Sequence, residues 1–450
     1  KVYGTDHLYS ADTFNENKPP SNDSTYLDAI SKKVYQSMSS ADPKAVWVMQ
    51  GWLFLYDMTF WKPTQIKALL NAIPDDKMVI LDLNSDAIPV WNRTDAYYGK
   101  PWIWNLLSNG GGRVSLFGRM HNVAYEPATI LNSSNSGKMV GIGLTPEGID
   151  QNPALYQLML ANVWCNEPIP LDNWLQRYAL NRYGKANEQV NKAWKILKNT
   201  VYHAPQTAGN GPASMITARP TFEQNTLTIK TALGYDPLQL VKAWSLFIKA
   251  GDSLKNSDGF QYDLVNIARQ VLANYANDIQ RKFTEAYKDH NNEMFDKYSG
   301  QFIDLINDMN TLLRTRKDFM LGTWLSAARS WGKTNKEKDL YEFNARDLIT
   351  LWGDKNSPIH EYACRQWSGM MYGFYKPRWE MFFHEVDSCM KNNKPMNMDA
   401  FNKRVKDWEW KWVHEHNKYP IKPSGNPVII AKEMYNKYID RIKDIYHDNT

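Results

Sequence analysis

Cysteine is scarce: three residues in 450, at Cys165, Cys364 and Cys389, each isolated and none in Cys-x-x-Cys spacing. That pattern argues against a disulfide framework and against a zinc ribbon. Long hydrophobic runs are missing too, and the first residues lack the charged, apolar and small-residue layout of a signal peptide. Charge of one sign is never concentrated. The 53 basic and 48 acidic residues leave a net +5 without long like-charge blocks, so neither a nucleic-acid-binding arm nor a basic membrane helix is expected. Metal-binding spacing is also absent. His414-Glu-His416 is an i,i+2 pair whose rings would leave a helix on different faces, whereas a zinc pair needs i,i+4, and His384 has no second histidine beside it. No catalytic metal and no cofactor are expected. Asn109-Gly-Gly-Gly112 lacks the Gly-Lys-[Ser/Thr] ending of a phosphate loop and reads as a turn needing positive φ close to a pocket.

What is abundant is aromatic. Hydrophobic residues at 43% and charged residues at 22% are ordinary, but 18 Trp and 25 Tyr are many for this length. Ring faces pack on the apolar C–H face of a sugar; they also fill helix interfaces, which is expected to account for most of them. A chain of this length exceeds one ordinary core, and its pattern changes near residue 165. Before that point strand-like runs at His7–Thr13, Val46–Gln50, Met78–Leu83, Trp102–Leu107 and Met139–Leu144 alternate with helical periodicity such as Leu27, Ile30, Val34 and Met38. Repeated βα units predict a parallel sheet. From residue 166 to 450 the pattern is helical, with amphipathic segments from Asp172–Tyr183 to Ile429–Ile445. His203–Pro212 reads as a long loop.

Two glutamates sit where strands run into loops. Glu147 lies in Thr145-Pro-Glu-Gly-Ile-Asp150, between the strand Met139–Leu144 and a helix start at Asn152-Pro. Glu16 ends the loop after the first strand. In parallel α/β folds the loops at the carboxyl ends of strands build the site, and two facing carboxyls are what glycoside hydrolysis requires. The bland reading is two loop carboxylates that never meet. Asp82, at a strand end, could hold a hydroxyl or cap the following turn, and Trp52 could wall a sugar pocket or pack under a loop.

The ordered strings Ala11-Asp-Thr-Phe-Asn-Glu-Asn-Lys-Pro-Pro20, Ala45-Val-Trp-Val-Met-Gln-Gly-Trp-Leu-Phe54, Leu81-Asp-Leu83, Asn109-Gly-Gly111 and Met139-Val-Gly-Ile-Gly-Leu-Thr-Pro-Glu-Gly-Ile-Asp-Gln-Asn152 resemble the alpha-N-acetylglucosaminidases of glycoside hydrolase family 89. The likeness continues through Leu180–Gly184, Leu348–Gly353 and Tyr375–Trp379, so it covers essentially the whole chain. It implies the later part of a (β/α)8 TIM-type barrel over residues 1–165, followed over 166–450 by an all-α domain packing beside the active site. It implies a retaining, exo-acting enzyme that removes terminal α-linked N-acetylglucosamine from heparan-type or mucin-type glycans. Glu147 would be the nucleophile and Glu16 the general acid and base. Asn15, Trp52, Trp352 and Tyr362 would bind the sugar, although the segment Asp354–Glu361 departs slightly from the family's spacing. The alternatives are a barrel glycosidase of other sugar specificity and a non-catalytic glycan-binding or interaction protein, which would need neither glutamate. A complete barrel has eight strands, and this reading finds about five. The chain is therefore expected to be the C-terminal portion of the enzyme, with an apolar sheet edge at Val2–Ser10 that an upstream half must cover. A periplasmic or secreted bacterial location, or a lysosomal one for a eukaryotic member, would follow. A homo-oligomer stays open.

Overall fold

The computed structural model describes residues 4–148, 152–205 and 210–447. Ile149 and Asp150 of the stretch containing Glu147, Val2 and Tyr3 of the predicted edge, and Gln206–Gly209 of the predicted loop lie outside them.

Five parallel strands, β1 (Leu8–Ser10), β2 (Val46–Gln50), β3 (Met78–Asp82), β4 (Pro101–Leu106) and β5 (Lys138–Leu144), lie side by side in chain order. Their period of two separates two faces. Trp47, Met49, Met78, Ile80, Trp102 and Trp104 are buried, whereas Val46, Val48, Val79, Leu81 and Ile103 are only half-buried. The buried face packs against helices that include Ser24–Ala41 and Pro63–Asn71. A sheet with strands in sequential order, helices on one face and an incompletely filled opposite face has the form of a barrel wall.

The helices begin where local chemistry supplies a partner for their free N–H groups. Asp23 caps Ser24–Ala41 by accepting from Thr25 N, and Pro63 opens its helix at the first position. Thr334 and Glu337 form a capping box. The first strand is shorter than its pattern predicts. His7 has φ +67°, and beyond Ser10 the ladder is replaced by side chains: Trp47 Nε1 donates to Ala11 O at 2.7 Å, and Gln50 Nε2 to Asp12 Oδ2 at 2.8 Å. The predicted helix Lys336–Leu351 stops at Leu348, because Trp352 turns left-handed at φ +56° and its N–H returns to Asp347 O at 2.9 Å. The pattern reading did not resolve Leu321–Ser330 as a helix, nor the wide turn Met371–Tyr375.

At the centre of the helical part lies Asp258–Lys288, a 31-residue helix with most of its length buried. Trp379 is wholly buried among Phe283, Phe302 and Phe383, with ring centroids 4.7–5.8 Å apart. Truncating such a ring costs about 3–5 kcal/mol. The central helix also carries a buried polar stripe at helical spacing. Arg269 Nη2 donates to Val114 O at 2.7 Å, Gln270 Oε1 accepts from Leu116 N at 2.9 Å, and Asn277 Oδ1 accepts from Met215 N at 2.7 Å. Irregular backbone leaving β4 and the segment near residue 215 thereby find partners in the interior.

Beneath the sheet rim two carboxyls are held out of water. Burial pushes Asp86 up to about 6 despite its ion pair with Arg119 at 3.2 Å. Burial and the Asp86 charge push the half-buried Glu126 up to about 7. The folded protein thus keeps protons that the unfolded chain has already released above the ordinary carboxyl range, so stability falls as pH rises through the interval from there to about 7. The thermal midpoint is expected to be lower at about pH 8 than at about pH 5, and Glu126→Gln should reduce that difference. Identical pH slopes in calorimetry of the two proteins would remove the assignment.

Candidate active site

The carboxyl end of β5 is tied to its neighbours before the chain turns. Thr145 N donates to Leu106 O at 3.0 Å, and Thr145 Oγ1 reaches Leu83 O at 3.3 Å. Two residues later Glu147 faces two donors from elsewhere in the chain: Gly111 N–H donates to Oε2 at 2.7 Å and the Tyr362 hydroxyl to Oε1 at 3.2 Å. Each carboxylate oxygen has about two acceptor positions, so one donor apiece orients the group and leaves both oxygens with further capacity.

Glu16 stands on the turn after β1, where Phe14 is left-handed at φ +63° and Asn15 N donates to Asp12 O at 3.3 Å. The glutamate is exposed, and Trp52 Nε1 donates to its Oε1 at 3.0 Å. Trp52 is the first residue of the short helix Trp52–Tyr56, two residues past the end of β2 at Gln50. The adjacent Asn15 is half-buried, and its Oδ1 is enclosed without a hydrogen-bond partner.

Tyr362 is where the two carboxylates meet electrostatically. Burial, then the charge and hydrogen bond of Glu147, and more weakly the charge of Glu16, push its phenol well above the ordinary range. Trp352 packs edge-on against its ring with centroids 4.9 Å apart. The structure therefore brings Glu147, Tyr362 and Trp352 into one cluster, with Glu16 and Trp52 as a second contact pair whose charge reaches it. Asp82 does not join them. It is buried, and its carboxylate accepts from the Val90 and Trp91 N–H groups at 2.8–3.2 Å, so it caps the following turn.

The Asn109–Gly112 turn has the backbone its glycines suggested, with φ +56° at Asn109, +69° at Gly111 and +73° at Gly112. Pattern reading did not find what that turn is for. An added Cβ at Gly111 would lie 2.4 Å from Tyr362 O, and one at Gly112 would lie 2.3 Å from the Arg365 guanidinium. The glycines let the β4 loop lie directly on the Tyr362–Ala363 backbone and aim an N–H at Glu147. Two further residues fix that contact. Buried Arg113 donates from Nε to Tyr362 O at 3.1 Å and from Nη2 to Thr228 O at 2.6 Å. Asn210 Oδ1 accepts from Gly110 N at 3.2 Å. Their one signal in the sequence was position: Arg113 directly follows the glycines, and Asn210 stands in the Gly/Pro-rich loop. Arg113, Asn210 and Tyr362 also border a cavity of about 780 Å³. Among the described residues no group of three or more His, Cys, Asp or Glu side chains is placed to hold a metal ion.

Known proteins resemble this chain along its length. Residues 1–166 match the family description "Alpha-N-acetylglucosaminidase (NAGLU) tim-barrel domain", and residues 174–437 match "Alpha-N-acetylglucosaminidase (NAGLU) C-terminal domain". The alpha-N-acetylglucosaminidase of Homo sapiens is 35% identical over 444 residues, which is 98% of this chain and 59% of that protein. A family 89 glycoside hydrolase from Clostridium perfringens, solved in complex with PUGNAc, superposes with a TM-score of 0.87 at 33% identity, over 96% of this chain and 48% of that one. A structure of the Clostridium perfringens enzyme in complex with its substrate GlcNAc-alpha-1,4-galactose superposes equally well, with a TM-score of 0.87 at 33% identity, over 96% and 49% of the two chains. This chain thus spans about half the length of the relatives it matches.

Replacing Gly111 by Ala is expected to expel the Tyr362 carbonyl from contact and to load a left-handed residue with about 1–3 kcal/mol of strain. The Gly111→Ala protein should melt earlier than the wild type. Wild-type melting in that variant would show that the close approach carries no constraint.

Proposed function

The chain belongs to the alpha-N-acetylglucosaminidase family, and on that premise we propose that it carries the catalytic carboxyls of a retaining, exo-acting hydrolase of terminal α-linked N-acetylglucosamine. The observation that carries this reading is the orientation of Glu147 by Gly111 N–H and the Tyr362 hydroxyl at the carboxyl end of the sheet. A solvated loop carboxylate needs no such pair of donors.

In the proposed reaction Glu147 attacks the anomeric carbon while Glu16 gives its proton to the departing glycosidic oxygen. A covalent glycosyl-enzyme results. Glu16, now ionised, takes a proton from water, whose oxygen attacks the same carbon and releases Glu147. Two inversions restore the α configuration. Such a sequence needs carboxyls about 5–5.5 Å apart. Trp52, donating to Glu16, would hold the acid toward the leaving group. Trp352 and Tyr362 would offer apolar ring surface to the sugar, and Asn15, with its enclosed amide oxygen, would recognise the 2-substituent. The nature of the two Clostridium perfringens complexes, one with a GlcNAc-alpha-1,4-galactose substrate, supports α-linked N-acetylglucosamine as the sugar removed. The remaining staves of the barrel would come from sequence outside these residues, since five strands stand among those described and eight close a barrel.

Glu147→Ala should abolish hydrolysis of an aryl alpha-N-acetylglucosaminide yet retain ligand binding, and azide should restore part of the rate by forming a glycosyl azide of inverted configuration. Hydrolysis at the wild-type rate would exclude Glu147 as nucleophile. Glu16→Ala should lose about 10²–10⁴-fold on a substrate with a poor leaving group and far less on one whose leaving group is already acidic. Equal losses on both substrates would exclude the acid role.

A further inference from the structure

The residue before Tyr362 has an unusual backbone. Glu361 sits in the left-handed region at φ +66°, a conformation that a non-glycine residue keeps only when its surroundings over-determine it. Its N–H donates to Thr350 O at 2.6 Å and its carbonyl accepts from Cys364 Sγ at 2.6 Å. The preceding carbonyl, of His360, accepts from Thr228 Oγ1 at 2.9 Å. These bonds fix the backbone on both sides of the bend.

The side chain is tied more tightly still. Glu361 is buried, and its Oε1 lies 2.7 Å from Arg378 Nη1, which is also 2.6 Å from Glu409 Oε1. Arg378 Nη2 donates to the carbonyls of Thr217 and Ala218, each at 3.0 Å, and Arg219 closes the group on Glu409 Oε2 at 2.6 Å. His360 Nδ1 stands 3.3 Å from Glu361 Oε2. Burial alone would raise the Glu361 carboxyl, but Arg378 and His360 reverse this and bring it down to about 2. Two cations therefore meet two carboxylates, joining the segment 217–219, the bend at 361 and the helices Lys376–Lys391 and Met398–Val413. Buried ion pairs add little stability over apolar packing of the same shape, and their best-attested use is to fix a register. Of the four residues, Glu361 alone is bonded in the chain to a side chain that touches Glu147.

We propose that Glu361 is a positioning residue for the reaction: clamped by Arg378, it locks the left-handed bend that aims the Tyr362 hydroxyl at Glu147, so that an ion pair inside the helical part sets the orientation of the nucleophile. This rests on the reading of Glu147 given above. A merely structural cluster would lose stability when any member is neutralised. A positioning residue loses rate through one particular neighbour.

The test compares Glu361→Gln, Glu409→Gln and Tyr362→Phe, and the double variant E361Q/Y362F, on an aryl alpha-N-acetylglucosaminide. E361Q and E409Q should both lower the melting temperature. E361Q should lower kcat about tenfold or more with little change in KM, the pattern of a contact made chiefly in the transition state, whereas E409Q should keep kcat. The double variant should be no slower than Tyr362→Phe alone, because the two changes act on one contact. Arg378→Lys, which keeps the cation but cannot span both carboxylates and both carbonyls, should repeat the E361Q pattern if that variant folds poorly. Losses that add in the double variant, or an equal fall of kcat in E409Q, would overturn the proposal. A readout free of turnover separates it from the enzymatic reading. With tyrosine labelled at Cζ with carbon-13, the resonance missing in Tyr362→Phe should move in both E361Q and Glu147→Gln and stay in place in E409Q. An unmoved line in E361Q overturns the positioning role whether or not the wild-type protein turns over, while absent wild-type turnover with the remaining barrel staves supplied, together with a moved line, overturns only the hydrolase reading.

Discussion

The contact on which the site depends is backbone lying on backbone. The β4 loop can approach Tyr362 and Ala363 as closely as it does only because Gly111 and Gly112 have no side chain and tolerate positive φ. That contact joins the sheet to the helical part, and it brings an N–H and a hydroxyl to the two oxygens of Glu147. A carboxylate oriented by two donors from separated stretches of chain is held to the accuracy of the whole packing. One oriented by its own turn would follow the turn's motions.

Such irregular segments survive in an interior because their polar groups are met there. The helix Asp258–Lys288 does this by mixing its apolar surface with Arg269, Gln270 and Asn277, which bond Val114 O, Leu116 N and Met215 N. Arg269 is fully buried and takes amide and carbonyl acceptors, including Gln366 Oε1 at 3.0 Å. Unmet, each of these loop groups would cost about 1–3 kcal/mol. The central helix is thus both core and template for the loops that carry the site.

Legibility in the sequence followed the range of the interaction. Short strand-like runs marked all five strands, and period-3.6 patterns marked the long helices to within a few residues. The errors came where distant groups intervened. His7–Thr13 reads as a strand, but Trp47 and Gln50 capture its end. Lys336–Leu351 reads as a helix to its last residue, but Trp352 turns left-handed under the Tyr362 ring. Asp82 could hold a hydroxyl, though a strand-end Asp more often caps the following turn, and two backbone N–H groups decided for the cap. Glu147 and Glu16 were visible from their strand-end positions and the family strings, and Trp352 and Tyr362 through the family resemblance alone, while Arg113 and Asn210 had no recognisable pattern.

By itself the sequence determined the alternation of strand and helix, the switch to helices near residue 165, the glycine turn and the family. Each of these is written in residues close together in the chain, where spacing, caps and φ preference act directly. Only the tertiary structure decided that Tyr362 would reach Glu147 across 215 residues and that Arg113 would hold the Tyr362 carbonyl across 249. No local preference encodes such a meeting. It follows from the packing of the sheet, the central helix and the buried charges together, and it exists only when all of them are in place.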